Sequence, residues 1–490
     1  MLISLLTNLS YYLPELFVII SMTLMLMFET TYKKTEHGRM FLYLVGTVGL
    51  ITSLFLALSN FDEGSKLLFH QAVALDNFAN LSKVLLIIGT LGVVYIGYNS
   101  KDLDQTSKAE FFILTSGVLV GAMLVVGAMN LLSLYVGIEI LSILSYVLAS
   151  LKKKDVLSQE AGLKYALYGA LSAAVMIFGM GHLYGLTGSL NFVNIAKSFT
   201  TLTPEKIQVA KICFVLIFVG IGFKISAFPF HMWSPDVYQG SPVPVTAFFS
   251  IVPKLAVIAA LCRITGLILD TNAELFSWWS LLIQVVAVLT MTVGNLTALG
   301  QSSVKRLLAY SSMAHVGFIL MGLTVSNGIG LKASLFYMCI YLFMTLVAFA
   351  VVDHVVKIYG SDESSFFKGM VNKNPLATIL MTITFFSLAG FPPLGGFVAK
   401  FSILNLIIAE KNYVLAMIAA LNSVVALFYY LRLAKIMIVD SPVDVSEGQK
   451  VSFVRHVYLC LMTTPIIVAG LFWNNLYQST TLLELFTFKQ

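Results

Sequence analysis

Residues 376–410 read LATILMTITFFSLAGFPPLGGFVAKFSILNLIIAE. As one continuous helix these 35 residues would run about 52 Å, against a hydrocarbon core about 30 Å thick. The centre of the stretch, GFPPLGGFVAK from Gly390 to Lys400, holds consecutive prolines and a glycine pair. No unbroken helix accommodates those residues, so Pro392 and Pro393 mark a predicted helix break. Non-helical backbone at membrane depth survives only where it is buried in protein or lines a wet cavity. This one segment therefore predicts a membrane protein with a polar path inside it.

The rest of the chain agrees. Of its 490 residues 58% are hydrophobic and 11% charged, against roughly 25% charged in a soluble domain. That composition excludes a water-soluble globular enzyme, a disordered chain and a disulfide-stapled secreted fold. Cys213, Cys262, Cys339 and Cys460 stand alone in apolar runs and read as small core residues. The net charge of +6 forms no basic stripe interleaved with aromatics, so nucleic acid is not an expected partner and the lipid bilayer is. The first residues, MLISLLTNLSYYLPELF, carry no basic group ahead of the apolar run. They predict the approach to a first span and not a cleavable signal peptide.

A span needs about 20 mostly apolar residues, and this rule predicts an all-α, polytopic membrane helical bundle of about fourteen transmembrane helices. The seventh span contains GFKISAFPFHMW, Gly222 to Trp233, with Pro229 as a second helix break; Pro253 marks a third, inside the eighth span. Discontinuous helices seven and twelve lie five spans apart. The chain then divides into helices one to three (1–110), a first five-helix repeat of helices four to eight (111–268), a second of helices nine to thirteen (276–438), and helix fourteen with its tail (439–490). A unit with an odd number of spans inverts when repeated, and broken helices at matching positions point to an ion pathway. Loops on one side hold seventeen Lys and Arg, Lys33, Lys34 and Lys450 among them, against nine including Arg263 and Lys489 on the other. The positive-inside rule then puts both termini outside.

Four ionisable residues stand deep in these spans: Glu139 in LLSLYVGIEILSILSYVL, Lys224 before the seventh-span break, Lys254 after Pro253, and Lys400 after the prolines. Each would cost about 2.5–3.5 kcal/mol at a helix centre unless paired or hydrated. Snorkelling to the headgroups accounts for Lys83, Lys164 and Lys211 near span ends, but not for Glu139 or Lys254. Three lysines without a carboxylate cage do not suit a bare cation, which needs clustered oxygen ligands. A buried lysine can instead hand on its proton. The series Lys224, Lys254, Lys400 reads as a proton relay with Glu139 as its electrostatic control. His231 and His315 are further relay groups. His182 reads as a satisfied core histidine, and His37, His70, His354 and His456 as solvated loop residues. No His or Cys pair has metal-ligand spacing, and no nucleotide or phosphate motif is present.

At these residues the sequence resembles the antiporter-like proton-pumping membrane subunits of respiratory complex I, the type I NADH:quinone oxidoreductase, and within that family most closely the subunit N branch. FPFHMWSPDVYQGSPVPVTAFFSIVPKLA (228–256), QSSVKRLLAYSSMAHVGF (301–318) and FFSLAGFPPLGGFVAKF (385–401) carry the resemblance, which extends over the whole chain. It implies that Glu139 and Lys224 form an acid–lysine pair, that Lys254 is the central relay lysine and Lys400 the terminal one. It also places Lys164, Lys305, Tyr310, His231 and His315 near a hydrated path. It implies a bacterial plasma membrane, other complex I membrane subunits as partners, sister antiporter-like chains among them, and no cofactor on this chain. NADH, FMN, iron–sulfur clusters and quinone would belong to partner subunits. The competing expectation is a subunit of a multi-subunit sodium/proton antiporter, and a weaker one is a lipid-modifying enzyme.

Overall fold

The computed structural model describes residues 2–32, 36–326, 328–442 and 451–473. Lys33, Lys34, Lys450, Lys489 and the tail beyond 473 lie outside the described residues, as does the side chain of His37. The first part of the chain forms α1 (Leu2–Tyr11), α2 (Leu13–Tyr32) and α3 (Glu36–Ser59), then a short antiparallel hairpin, β1 (Lys66–Leu68) with β2 (Val73–Leu75). The hairpin is a small departure from the all-α expectation, turned by Phe69, His70 and Gln71 in left-handed conformations. There follow α4 (Asn77–Asn99), α5 (Gln105–Gly127), α6 (Leu131–Ala149), α7 (Val156–Thr187), α8 (Phe192–Ser198), α9 (Pro204–Ile225), α10 (Trp233–Gly240) and α11 (Val243–Leu267). The remainder forms α12 (Ala273–Leu299), α13 (Val304–Gly322), α14 (Ile329–Tyr359), α15 (Met370–Lys373), α16 (Pro375–Ala389), α17 (Gly395–Ala409), α18 (Tyr413–Ile438) and α19 (Phe453–Leu471).

The helices start and stop where local chemistry says they should. Asp76, Asn130, Asn272 and Ser303 cap α4, α6, α12 and α13 by accepting backbone N–H bonds, which satisfies amides a helix start leaves open. Gly188 and Gly360 end α7 and α14 in the left-handed region. Glycine also sets the tightest helix pairs. A Cβ on Gly121 would come within 2.8 Å of the Leu141 amide, drawing α5 onto α6. A Cβ on Gly294 or Gly317 would meet backbone across α12 and α13 at the same distance, 2.8 Å.

Twelve helices among the described residues are long and apolar enough to cross a membrane, so the count of fourteen is not established by length and composition. The shortfall has a physical origin. α16 and α17 are too short to qualify singly, and α13 carries Lys305, Arg306 and His315 in 19 residues. Both expected interruptions are present: α9 ends at Ile225 before α10, and α16 ends at Ala389 before α17. Pro253 is a correction, because it lies inside a continuous α11. A proline there loses one hydrogen bond, the one to Phe249 O, and a span packed on all sides keeps its helical path in spite of it.

α11 is buried along its whole length and α14 along most of it, whereas α2, α3, α7, α18 and α19 expose apolar faces. A helix apolar all round belongs in the centre of such a bundle. Three buried ion pairs, none of which the sequence announced, lock helices to one another. Arg263 of α11 bonds Asp76 at 2.7 and 3.0 Å, Lys83 of α4 meets Glu15 of α2 at 2.6 Å, and Arg455 of α19 meets Asp353 of α14 at 2.6 Å. Lys83 is thus not snorkelling, and Arg263 and Arg455 are not loop charges. Lys211 is paired too, with Glu274 at 2.8 Å. His354 is buried in α14 and His182 is exposed on α7, the reverse of their expected places. Cys460 is also exposed and Cys339 half-buried, leaving Cys213 and Cys262 as core residues.

Candidate functional site: a buried lysine axis

Lys224 occupies the last turn of α9, where the helix C-terminus favours a cation. Its Nζ lies 4.9 Å from the ring centroid of Tyr146, 4.8 Å from that of Tyr165 and 5.4 Å from that of Phe223, with the Tyr165 hydroxyl at 3.5 Å. An aromatic cage of this kind stabilises a cation through the ring faces. The cage is held by Trp233, at the start of α10, which stacks on Tyr165 at 4.3 Å and donates to Phe223 O at 2.8 Å. That bond folds α10 back against the end of α9 across the interruption.

Glu139 sits half-buried on α6. Among the described residues no ion pair joins it to Lys224. Its Oε1 is buried without a hydrogen-bond partner. Leu132, Val136, Ile143 and Val147 share its helix and are exposed, so the glutamate lies within an outward-facing apolar stripe.

Lys254 is at the centre of the molecule, wholly buried on α11. It donates to Ser312 Oγ at 2.6 Å and lies 5.6 Å from the Tyr238 ring. One turn along α13 from Ser312, His315 is buried with Nδ1 2.7 Å from the Tyr337 hydroxyl and Nε2 3.2 Å from that of Tyr430. Tyr430 also bonds Ser311. A further turn along, the ring of Phe318 lies 4.9 Å from Lys400 Nζ. Positions 312, 315 and 318 fall on one helix face, so α13 is a ladder from Lys254 to Lys400, about 9 Å of rise for six residues.

Lys400 sits in α17 and turns back over the break, donating to the carbonyls of Leu388 and Ala389 at 3.0 and 2.9 Å. These belong to the open C-terminal end of α16, where unpaired carbonyls favour a cation.

The remaining predicted residues do not join this row. Lys164 bonds Asp236 at 2.6 Å and Glu160 at 2.7 Å, while Arg306 holds the other Asp236 oxygen at 2.8 Å. Lys305 donates to Gln239 O and Ser241 O at 2.7 and 3.0 Å, closing the end of α10. Beside them Asp102, in the loop after α4, bonds Lys152 and accepts from the Val243 amide at 2.9 Å. Burial works against the Asp102 charge, but Lys152, Lys305 and that amide outweigh it and hold the carboxyl below the usual carboxylate range. Tyr310 is half-buried, and the close approach at its position is to its backbone carbonyl. His231 is buried, stacked on Phe228 at 5.6 Å, with Nδ1 unpartnered. Among the described residues Ser226 Oγ shares that condition. Sequence reasoning missed Ser312, Tyr337 and Tyr430, because neutral hydroxyls in apolar helices give no signal until packing aims them.

A closed apolar bundle with lysines buried among rings and hydroxyls defines a polytopic membrane protein with polar groups in its interior. The transmembrane family described as NADH:quinone oxidoreductase/Mrp antiporter matches residues 128–426. An NADH-quinone oxidoreductase subunit N 2 of Sorangium cellulosum is 35% identical, covering 96% of each chain. A chain of respiratory complex I from Thermus thermophilus superposes with a TM-score of 0.79 at 26% identity, covering 95% of this chain and 98% of the other. A chain of the Mrp complex of a Dietzia species, 20% identical, has a TM-score of 0.85 with 96% of each chain covered, and so shares the fold. This protein belongs to the NADH:quinone oxidoreductase/Mrp antiporter family, in the subunit N branch of the NADH-quinone oxidoreductases.

Proposed function

We propose that this chain moves protons across a bacterial plasma membrane as part of an NADH:quinone oxidoreductase, along Glu139, Lys224, Lys254 and Lys400. Quinone reduction in partner subunits supplies the energy, and this chain carries no redox centre of its own. The observation that carries the reading is the α13 ladder, on which Ser312, His315 and Phe318 reach from Lys254 to Lys400. Each lysine is held by a different kind of group: rings at Lys224, a hydroxyl at Lys254, helix-end carbonyls at Lys400.

In this reading a change at Glu139 alters the through-space hold on Lys224 and releases its proton towards Lys254. The buried Ser226 Oγ and His231 Nδ1 lie between those two lysines in sequence, and each calls for a hydrogen-bond partner. Water is the partner that fits a polar, enclosed site, and it would carry the proton over this section. From Lys254 the proton passes by Ser312 and His315, whose two nitrogens already meet hydroxyls, to Lys400. Lys164, Lys305 and Asp236 anchor the end of α10, so they position the first break and do not themselves relay.

The same reading divides the chain into inverted repeats at 111–268 and 276–438, with both termini outside. Support comes from the matched positions of α5 against α6 and α12 against α13, each drawn together at glycine. The test is quinone-linked proton pumping in membranes carrying the assembled complex. Lys224→Ala and Glu139→Ala should each reduce pumping sharply while assembly is retained; wild-type pumping by both would end the proposal. Cation-dependent proton flux from the purified chain alone in liposomes would favour an independent antiporter instead.

A further inference from the structure

A groove of about 480 Å³ opens on the outer surface between α16 and α18. Phe386, Phe428, Leu431 and Ile438 form its apolar walls, and Arg432 and Lys435 are its charged groups. The two cations stand three positions apart on α18, so they share a face. Arg432 donates to Leu299 O at 2.8 Å and Gln301 O at 3.1 Å, which fixes it at the level where α12 ends and still leaves guanidinium N–H groups for a ligand. Among the described residues no carboxylate pairs with Arg432 or Lys435. From Lys435 to Phe428 is seven residues, about 10 Å of helix. The groove therefore runs inward from its loop end, with Arg432 and Lys435 on the loop side of the rings of Phe428 and Phe386.

We propose that this groove binds one anionic phospholipid. Its phosphate sits between Arg432 and Lys435, and an acyl chain lies along Leu431, Phe428 and Phe386. A transmembrane helix of a partner subunit fits less well. It would bury two cations that no carboxylate of this chain offsets. The cations lie on the side where this chain gathers its loop lysines and arginines, the side whose leaflet attracts basic segments through its anionic lipids. α18 presents Tyr430 to His315 from another face, so a bound lipid would brace the helix that carries the axis. That consequence rests on the proposed function; the binding itself does not.

The test uses the intact complex from native membrane, stripped of lipid in mild detergent and offered photoactivatable phosphatidylglycerol or phosphatidylcholine. Phosphatidylglycerol should label the peptide around residues 428–439. Lys435→Gln should weaken that labelling about fivefold and Arg432→Gln with Lys435→Gln about 25-fold, at one cation's attraction each. Phosphatidylcholine should label no better than the double variant, and inorganic phosphate should not displace the lipid. Lys435→Gln alone leaves the Arg432 cap intact, so its effect is not a folding defect. Equal labelling by both lipids, wild-type labelling of Lys435→Gln, or displacement by inorganic phosphate would overturn the proposal. So would a photocrosslinker at Phe428 that joins another subunit in native membrane.

Discussion

The two helix interruptions look alike in sequence, a lysine beside proline and glycine, yet they are built differently. At the first, the lysine precedes the break and is wrapped by the rings of Tyr146, Tyr165 and Phe223. Among the described residues two buried polar atoms in that break, Ser226 Oγ and His231 Nδ1, have no hydrogen-bond partner. At the second, Lys400 follows the break and closes it by donating to the carbonyl end of α16, and Ser387 Oγ accepts the Gly396 amide at 2.9 Å. The first break is open to hydrogen-bond partners, while the second satisfies its own. A cation in a ring cage keeps little directional restraint, whereas one on two carbonyls is fixed in place.

The largest expected effect separates charge from proton exchange. Arginine keeps the positive charge but does not release its proton. Lys224→Arg and Lys400→Arg should therefore each lower quinone-linked pumping about a hundredfold, the scale of losing a positioned acid–base group. Near-normal pumping in either variant would confine the relay to the other half.

Next in size is backbone strain. Gly390 ends α16 at φ 90°, and a Cβ there would stand 2.9 Å from Lys400 Cδ. Gly390→Ala should cost about 1–3 kcal/mol, read as a lowered Tm. The matching end of α9 is Ser226 at φ 59°, a left-handed conformation that costs a non-glycine residue about 1–2 kcal/mol. Ser226→Gly should raise stability by about 1 kcal/mol; losses in both variants would mean that the breaks are not built differently.

The smallest effect depends on acid. The far end of the first break hangs on Asp102, which holds the Val243 amide at the start of α11, whereas the second break relies on backbone carbonyls. The Asp102 carboxyl is held below the usual range in the folded protein. Its stabilising contribution is then complete above about pH 4, the unfolded value, and is lost as pH falls through the lower folded value. Asp102→Asn should lower Tm at neutral pH, with the gap to wild type closing below about pH 4. A gap of equal size at both pH values would remove Asp102 from the anchoring of α10 and α11.

Much of this was legible in the sequence because it depends on single residues against a known background. Lys254 could be read as needing a buried polar partner without knowing which, since an isolated lysine in an apolar span is costly wherever it points. Pro229, Pro392 and Pro393 fall in the two interruptions for the same reason. Pro253 does not break its helix, because α11 is packed on all sides and its neighbours hold the helical path. Lys83 looked like a snorkelling lysine only because Glu15, its partner, is 68 positions away.

The membrane setting, the two interruptions and the buried lysines follow from the order of amino acids, because burial cost and backbone geometry are properties of single residues and short runs. What each lysine touches depends on how the helices pack. Ser312 meets Lys254 across 58 positions and Tyr430 meets His315 across 115, and no local rule specifies such pairings. A hydroxyl on an apolar helix is neutral and cheap to place anywhere, so its role exists only once packing aims it at a partner.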